Sequence, residues 1–175
     1  MLNRTSKIIN AGNYPLYMKI EKRTKFSLVY NARLFRGIVG KTNQKALAEW
    51  AIDCAERVLP YFEKKYPKDK RPRVAIETLQ KWMETGVFSM AVIRKASLDS
   101  HAAAREVGED NSARSAARAA GQAVAAAHVP MHSIGAAIYA LQAIYRATDS
   151  DAAVAKERKW QYERLVKLRK KTIRK

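Results

Sequence analysis

The sequence predicts an all-α fold, a single-domain bundle of about six helices preceded by a basic N-terminal extension. Three observations carry that expectation. From Ala113 to Ala127 nine of fifteen residues are alanine and one is Gly121. Alanine is the strongest helix former yet offers almost no side chain, so such a helix gains tertiary stability only when neighbours approach its backbone and bury it. Leu47, Trp50, Ala51, Cys54, Ala55, Val58 and Phe62 recur at the spacing of one helical face, the apolar stripe of an amphipathic helix. Short polar turns with Gly, Pro, Asn or Asp punctuate the remaining periodic segments, an arrangement that suits helices packed on one another.

Residues 1–41 are the least regular part. Tyr14, Leu16, Met18 and Ile20 alternate with other residues, as do Phe26, Leu28 and Tyr30 after the run EKRTK, which allows a short β-hairpin or an irregular extension. Gly37 and Gly40 close it, so the helical domain is expected over residues 42–175. Its first helix starts from a cap at Thr42 or Asn43 and runs to about Lys65, with Pro60 kinking or shortening the last turns. After KYPKDKRPR, Pro72 suits the first turn of a second helix that carries Ala75, Leu79, Trp82 and Met83 and ends at Gly86. A third spans roughly Ser89 to Val107, with Ile93, Ala96, Ser100, Ala103 and Val107 as a small-residue face. The turn of Gly108, Asp110 and Asn111 leads into the alanine helix. There Arg114, Arg118 and Gln122 form the polar line, Ala113, Ala117, Ala120, Val124 and His128 lie on another face, and Pro130 closes the helix. A fifth, Met131 to about Arg146, turns Ile134, Ala137, Leu141 and Ile144 inward, and Asp149 or Ser150 caps a sixth that reaches near Lys171. The helix pairs do not repeat one another and no low-complexity linker divides them, which argues against a solenoid and against two domains.

At 175 residues and 47% apolar content the chain can bury one substantial core. The single Cys54 excludes an internal disulfide and fits a reducing compartment. The first residues lack the apolar run of a signal peptide, and nowhere do eighteen uncharged apolar residues follow one another, so a cytoplasmic protein without membrane contact is expected. The net charge of +18 is uneven, at +7 over residues 1–40, +4 over 41–74, +1 over 75–148 and +6 over 149–175. Excess charge decorates the ends around a near-neutral middle. It favours acidic proteins or nucleic acid through salt-sensitive attraction.

Several groups are candidates for chemistry or binding. His128 and His132 have H-x-x-x-H spacing, and His101 on the third helix would complete a three-histidine zinc site. Pro130 lies between the first two and no Glu stands beside them as a base, so the preferred reading has each imidazole bonding a carbonyl, capping a helix or pinning the hairpin. No metal or other cofactor is therefore expected. Arg105, Arg114 and Arg118 are the polar groups among the small residues, and Asp53, Asp99 and Glu106 are their expected ion-pair partners inside the bundle. The alternative is a shared anion or partner pocket where His101, Arg105, Arg118, His128 and His132 converge. Cys54 sits on an apolar stripe between Asp53 and Glu56, which suits a small core residue rather than a nucleophile. In the basic tail Trp160 and Tyr162 interleave with cations that include Lys167, Arg169, Lys170 and Lys171, an arrangement that could stack bases and neutralise phosphates. Glu157 and Glu163 share that helix, however, and the preferred reading docks Trp160, Tyr162 and Leu165 on the bundle.

Five ordered runs, EWAIDCAERVLPYFE, PKDKRPRVAIETLQKW, SHAAARE, AARAAGQAVAAAHVPMHSIGAAIYALQA and AKERKWQYERL, resemble the small helical putative immunity proteins of bacterial polymorphic-toxin systems. The resemblance covers about two thirds of the chain and rests most on the W-A-x-D-C-A-E and A-A-R-A-A-G…A-H-x-x-x-H runs. It implies an all-α fold, no catalytic residues, and a role in binding and neutralising a toxin. The expected protein is thus a non-enzymatic binder that occludes a toxin sterically, with an acidic partner surface to match its own basic one. A nucleic-acid-associated helical protein is the alternative reading, and a metal- or anion-binding module is the third.

Overall fold

The structure, a computed structural model, describes residues 26–173. Eight helices and no strand occur among them: α1 Leu28–Val39, α2 Gln44–Glu56, α3 Leu59–Lys65, α4 Arg71–Thr85, α5 Met90–Glu106, α6 Ser112–Ala125, α7 His132–Thr148 and α8 Asp151–Ile173. The all-α class stands, and the expected six helices become eight for two reasons. Phe26, Leu28 and Tyr30, read as one arm of a hairpin, belong instead to the start of α1 or the residues just before it. Ser27 caps that helix by accepting from Tyr30 N at 3.2 Å, and Asn31, Leu34, Phe35 and Val39 are its buried face. The other arm, Tyr14 to Ile20, lies outside the described residues. The expected long first helix is divided into α2 and α3 at Arg57 and Val58, because Pro60 lacks the N–H that would bond Glu56 and its ring crowds that carbonyl. Pro60 then sits inside the first turn of α3, where no N–H is needed.

Local sequence sets most other boundaries. Asn43 rather than Thr42 caps α2, accepting from Ala46 N at 2.9 Å, and Asn111 caps α6 through Arg114 N at 3.0 Å. Gly86 ends α4 in the left-handed region at φ 69°. Ser150 Oγ accepts from Ala153 N at 3.2 Å in the first turn of α8.

The alanine helix α6 is the centre of the molecule and packs against α2, α3, α4, α5 and α7. Ala116, Ala117, Ala119, Ala120 and Ala123 are fully enclosed. Without side-chain bulk the helices approach closely enough for hydroxyls to reach across, so Ser97 Oγ donates to Gly121 O at 2.9 Å and Ser100 Oγ to Ala117 O at 2.8 Å. On the far side α2 and α7 carry α8, and α7 also carries α1. Cations on α8 and α2 tie these helices together: Arg164 bonds Asp53 at 2.6 Å and Glu49 at 3.0 Å, and Arg57 forks onto the buried Glu157. No helix of the described residues is long and apolar enough to cross a membrane.

Candidate functional site

All three histidines of the chain, His101, His128 and His132, line one groove of about 410 Å³ where α5 passes the end of α6 and the start of α7. Met90, Ile93, Arg94, Ser97, Leu98, Gln122 and Ala125 complete its walls. His128 lies in the tight turn after α6, and His132 opens α7. Pro130 breaks the helix between them, yet their rings remain nearly parallel with centroids 6.0 Å apart.

Two glycines make this arrangement sterically feasible. A Cβ on Gly121 would sit 2.9 Å from His101 Cε1, and one on Gly135 would sit 2.3 Å from Gln122 Oε1. The bare backbone of α6 thus seats the His101 ring, and that of α7 seats the Gln122 amide. Gln122 Oε1 and His132 Nδ1 are 2.8 Å apart, and since the amide oxygen only accepts, the imidazole proton resides on Nδ1. His101 differs, because its Nδ1 is buried with no hydrogen-bond partner.

The electrostatics are one-sided. Burial lowers the His101 pKa to about 4, helped by the charges of Arg118, Arg105 and His132. Burial also lowers His132, with His128 adding to the effect. Among the described residues no carboxylate lines the groove. The expected pairing of Arg105, Arg114 and Arg118 with Asp53, Asp99 and Glu106 does not form. Asp53 bonds Arg164, Asp99 bonds Lys95, Glu106 bonds Arg71, and Arg114 takes Asp110 at 3.0 Å. Among the described residues Arg94, Arg105 and Arg118 have no carboxylate partner. Arg105 and Arg118 do not line the groove, and Arg118 points its guanidinium toward the Tyr139 ring, 6.0 Å from its centroid. Among the described residues no group of three or more His, Cys, Asp or Glu is placed to hold a metal ion.

A protonation prediction follows. His101 and His132 are neutral in the fold and have lower pKa values there than in the unfolded chain, so the unfolded chain binds more protons as pH falls. Their contribution to stability is whole above the unfolded value of 6.5 and declines as pH drops toward about 4 for His101. A fully enclosed ring would lose ~3 kcal/mol over that interval, and partial exposure reduces this to about 1–2 kcal/mol. Urea unfolding between pH 7.5 and 5, above most carboxylate titration, should show this decline, and His101→Asn should flatten it. An unchanged slope in the variant would mean the ring is not enclosed.

Beside the groove the surface is unusually apolar. Val87, Phe88, Met90, Val92 and Leu98 account for five of the eight large hydrophobic side chains that stand exposed among the described residues, with Val87 74% and Leu98 53% accessible. Every residue from Glu84 to Val92 is exposed, whereas Ile93, Ala96, Ser100 and Ala103 of the same helix are buried. The sequence reading centred on the histidines and missed this face. No local pattern marks it, because Val92 stands four residues before Ala96 and eleven before Ala103, on the side of the helix that those residues bury.

Cys54 is buried, and its enclosure, with Glu157 and Asp53 nearby, holds the thiol pKa well above the usual value, which suits a core residue and not a nucleophile. On α8, Lys167, Lys170 and Lys171 are exposed, Arg169 is half-buried, and Trp160 and Tyr162 pack partly buried against the core. The Arg57 guanidinium lies over the Trp160 ring at 3.9 Å, so that ring is no free platform for a base.

Neither the curated proteins nor the solved structures provide a match. The model of one family, described as Imm-5 like putative immunity protein, matches residues 37–168, about three quarters of the chain. The match runs from the end of α1 into α8 and includes every residue of the groove and of the apolar face. The resemblance read from the five sequence runs is therefore borne out, and the chain belongs to the family of Imm-5 like putative immunity proteins.

Proposed function

We propose that this protein binds a toxin and neutralises it by steric occlusion, using the outer face of the α4–α5 turn and α5 as its contact surface. The observation that carries the reading is the group of exposed apolar side chains Val87 and Phe88 in the α4–α5 turn and Met90, Val92 and Leu98 on α5, a helix whose other face is locked into the core. Exposed apolar residues gathered in one place mark interaction surfaces, whereas scattered ones do not. The scaffold behind them is rigid, since α5 is bonded to α6 through Ser97 and Ser100. A rigid face needs no reordering on docking, which favours a tight complex. The action is non-catalytic. Phe88, Met90 and Leu98 act as anchors, and Arg94 and Lys95 among them match a partner that surrounds its own apolar patch with acids. The setting implied is bacterial and cytoplasmic, beside a gene for the toxin.

The test is co-expression with the toxin encoded next to this gene, with growth rescue and complex formation as readouts. Phe88→Asp and Leu98→Asp, both at exposed positions, should each weaken the complex about 30-fold or more while leaving the fold intact. Wild-type affinity in both variants would move the contact surface elsewhere. Failure to bind or rescue from that toxin, combined with salt-sensitive retention on nucleic acid, would replace the immunity reading with the nucleic-acid one.

A further inference from the structure

We propose that the groove between α5, α6 and α7 is an anion site that receives a carboxylate from an acidic side chain of the partner, held by Arg94 with the three imidazoles around it. The proposal rests on the reading of α5 as the contact face and deepens it. Four observations support it. Arg94 lines the groove and has no carboxylate partner among the described residues, and the neighbouring Arg105 and Arg118 have none either. Residues 75–148 carry a net charge of only +1, so these unpaired cations are not a consequence of the protein's general basicity. The acids that sequence alone would pair with them are engaged elsewhere, Asp99 by Lys95 and Glu106 by Arg71. Finally, the His101 ring, seated on the bare backbone of Gly121, lines the groove together with His128 and His132, so three imidazoles able to donate an N–H face one cavity.

The rim decides among anions. Met90, Leu98 and Ile93 line the same groove, and apolar walls around the one guanidinium of Arg94 suit an acidic side chain set among hydrophobic ones better than a phosphodiester backbone. Arginine can take both carboxylate oxygens at once, which would fix the register of the docked partner.

The groove can be tested without the toxin. Because the chain has three histidines and all of them line it, their Hε1 and Cε1 resonances form a small and specific reporter set. Acetate and, separately, inorganic phosphate are titrated into the full chain at constant ionic strength and pH 7, with chloride as the balancing salt. Acetate should shift the His101, His128 and His132 resonances along one saturating curve in about the millimolar range and raise the titration midpoints of His101 and His132. Arg94→Gln, at an exposed position, should weaken that binding about tenfold. Linear shifts without saturation, or an unchanged curve in Arg94→Gln, would overturn the site, and phosphate saturating tenfold more tightly than acetate would overturn the carboxylate assignment. The two readings fail separately. If Phe88→Asp disrupts the toxin complex while acetate does not saturate, the contact face stands and the anion site falls. Should acetate saturate although the neighbouring toxin is not bound, the anion site stands and the immunity reading falls.

Discussion

Ala120→Leu is expected to destabilise the protein by about 3 kcal/mol or more, enough to abolish folding of a marginally stable variant. Ala120 is fully enclosed on α6, the helix that touches α2, α3, α4, α5 and α7, so three added carbons have no side on which to be accommodated. Ordinary cores adapt to added bulk by shifting flexible side chains. Here the two helices packed most extensively on α6 bury alanines of their own, Ala103 and Ala104 on α5 and Ala136 and Ala137 on α7, so little flexible bulk is available to shift and the helices themselves must separate. Separation would also break Ser97 and Ser100 from the α6 carbonyls. Ala152→Leu, the same chemical change at an exposed position on α8, should fall within about 0.5 kcal/mol of wild type. Denaturant unfolding of the two variants makes the comparison, and equal losses would mean that α6 is not confined as described.

That confinement was legible from composition, because a helix of alanines has no other route to tertiary stability. The cap of α2 at Thr42 or Asn43, the turn through Asn111 into α6, the stop at Gly86 and the start near Asp151 were legible too, since each depends on a residue and its immediate neighbours. The errors arose where distant chain decides. Phe26, Leu28 and Tyr30 alternate over five residues, and only the longer pattern of Asn31, Leu34, Phe35 and Val39 reveals the 3.6-residue period of α1. The ion pairs were misassigned because Arg164 reaches Asp53 and Arg71 reaches Glu106 across elements whose proximity no local rule encodes.

The candidate site divides in the same way. Three histidines in a basic chain attract notice, but the sequence brings them together only as an alternative, with His101 arriving from a helix beside the one that carries His128. Gln122, by contrast, looked like one member of a polar line. Its contact with His132 depends on Gly135 of another helix leaving room for the amide. The apolar face between Val87 and Leu98 is read only once the packing partners of α5 are known, because exposure is a property of the assembled bundle and not of the residue.

Trp50→Ala should cost about 3–5 kcal/mol, and the reason lies where α1, α2 and α8 meet. Trp50 is fully enclosed, meets Phe35 of α1 edge-on with ring centroids 5.2 Å apart, and donates its Nε1 proton to Gln161 O of α8 at 2.8 Å. One side chain therefore joins three helices. Truncation leaves a cavity between α1, α2 and α8 and strips a buried carbonyl of its donor, two penalties that add because both groups are shielded from water. Trp50→Phe separates them, since it keeps most of the ring volume but loses the N–H, and it should cost about 1–2 kcal/mol. The spatial pattern of damage is the sharper measurement. Amide exchange in Trp50→Ala should accelerate most in α1 and α8, while α5, bonded to α6 rather than to Trp50, should keep its protection and its apolar face intact. Uniform acceleration across all helices would show that the bundle unfolds as one unit, and that the α5 face does not retain its support independently of α1 and α8.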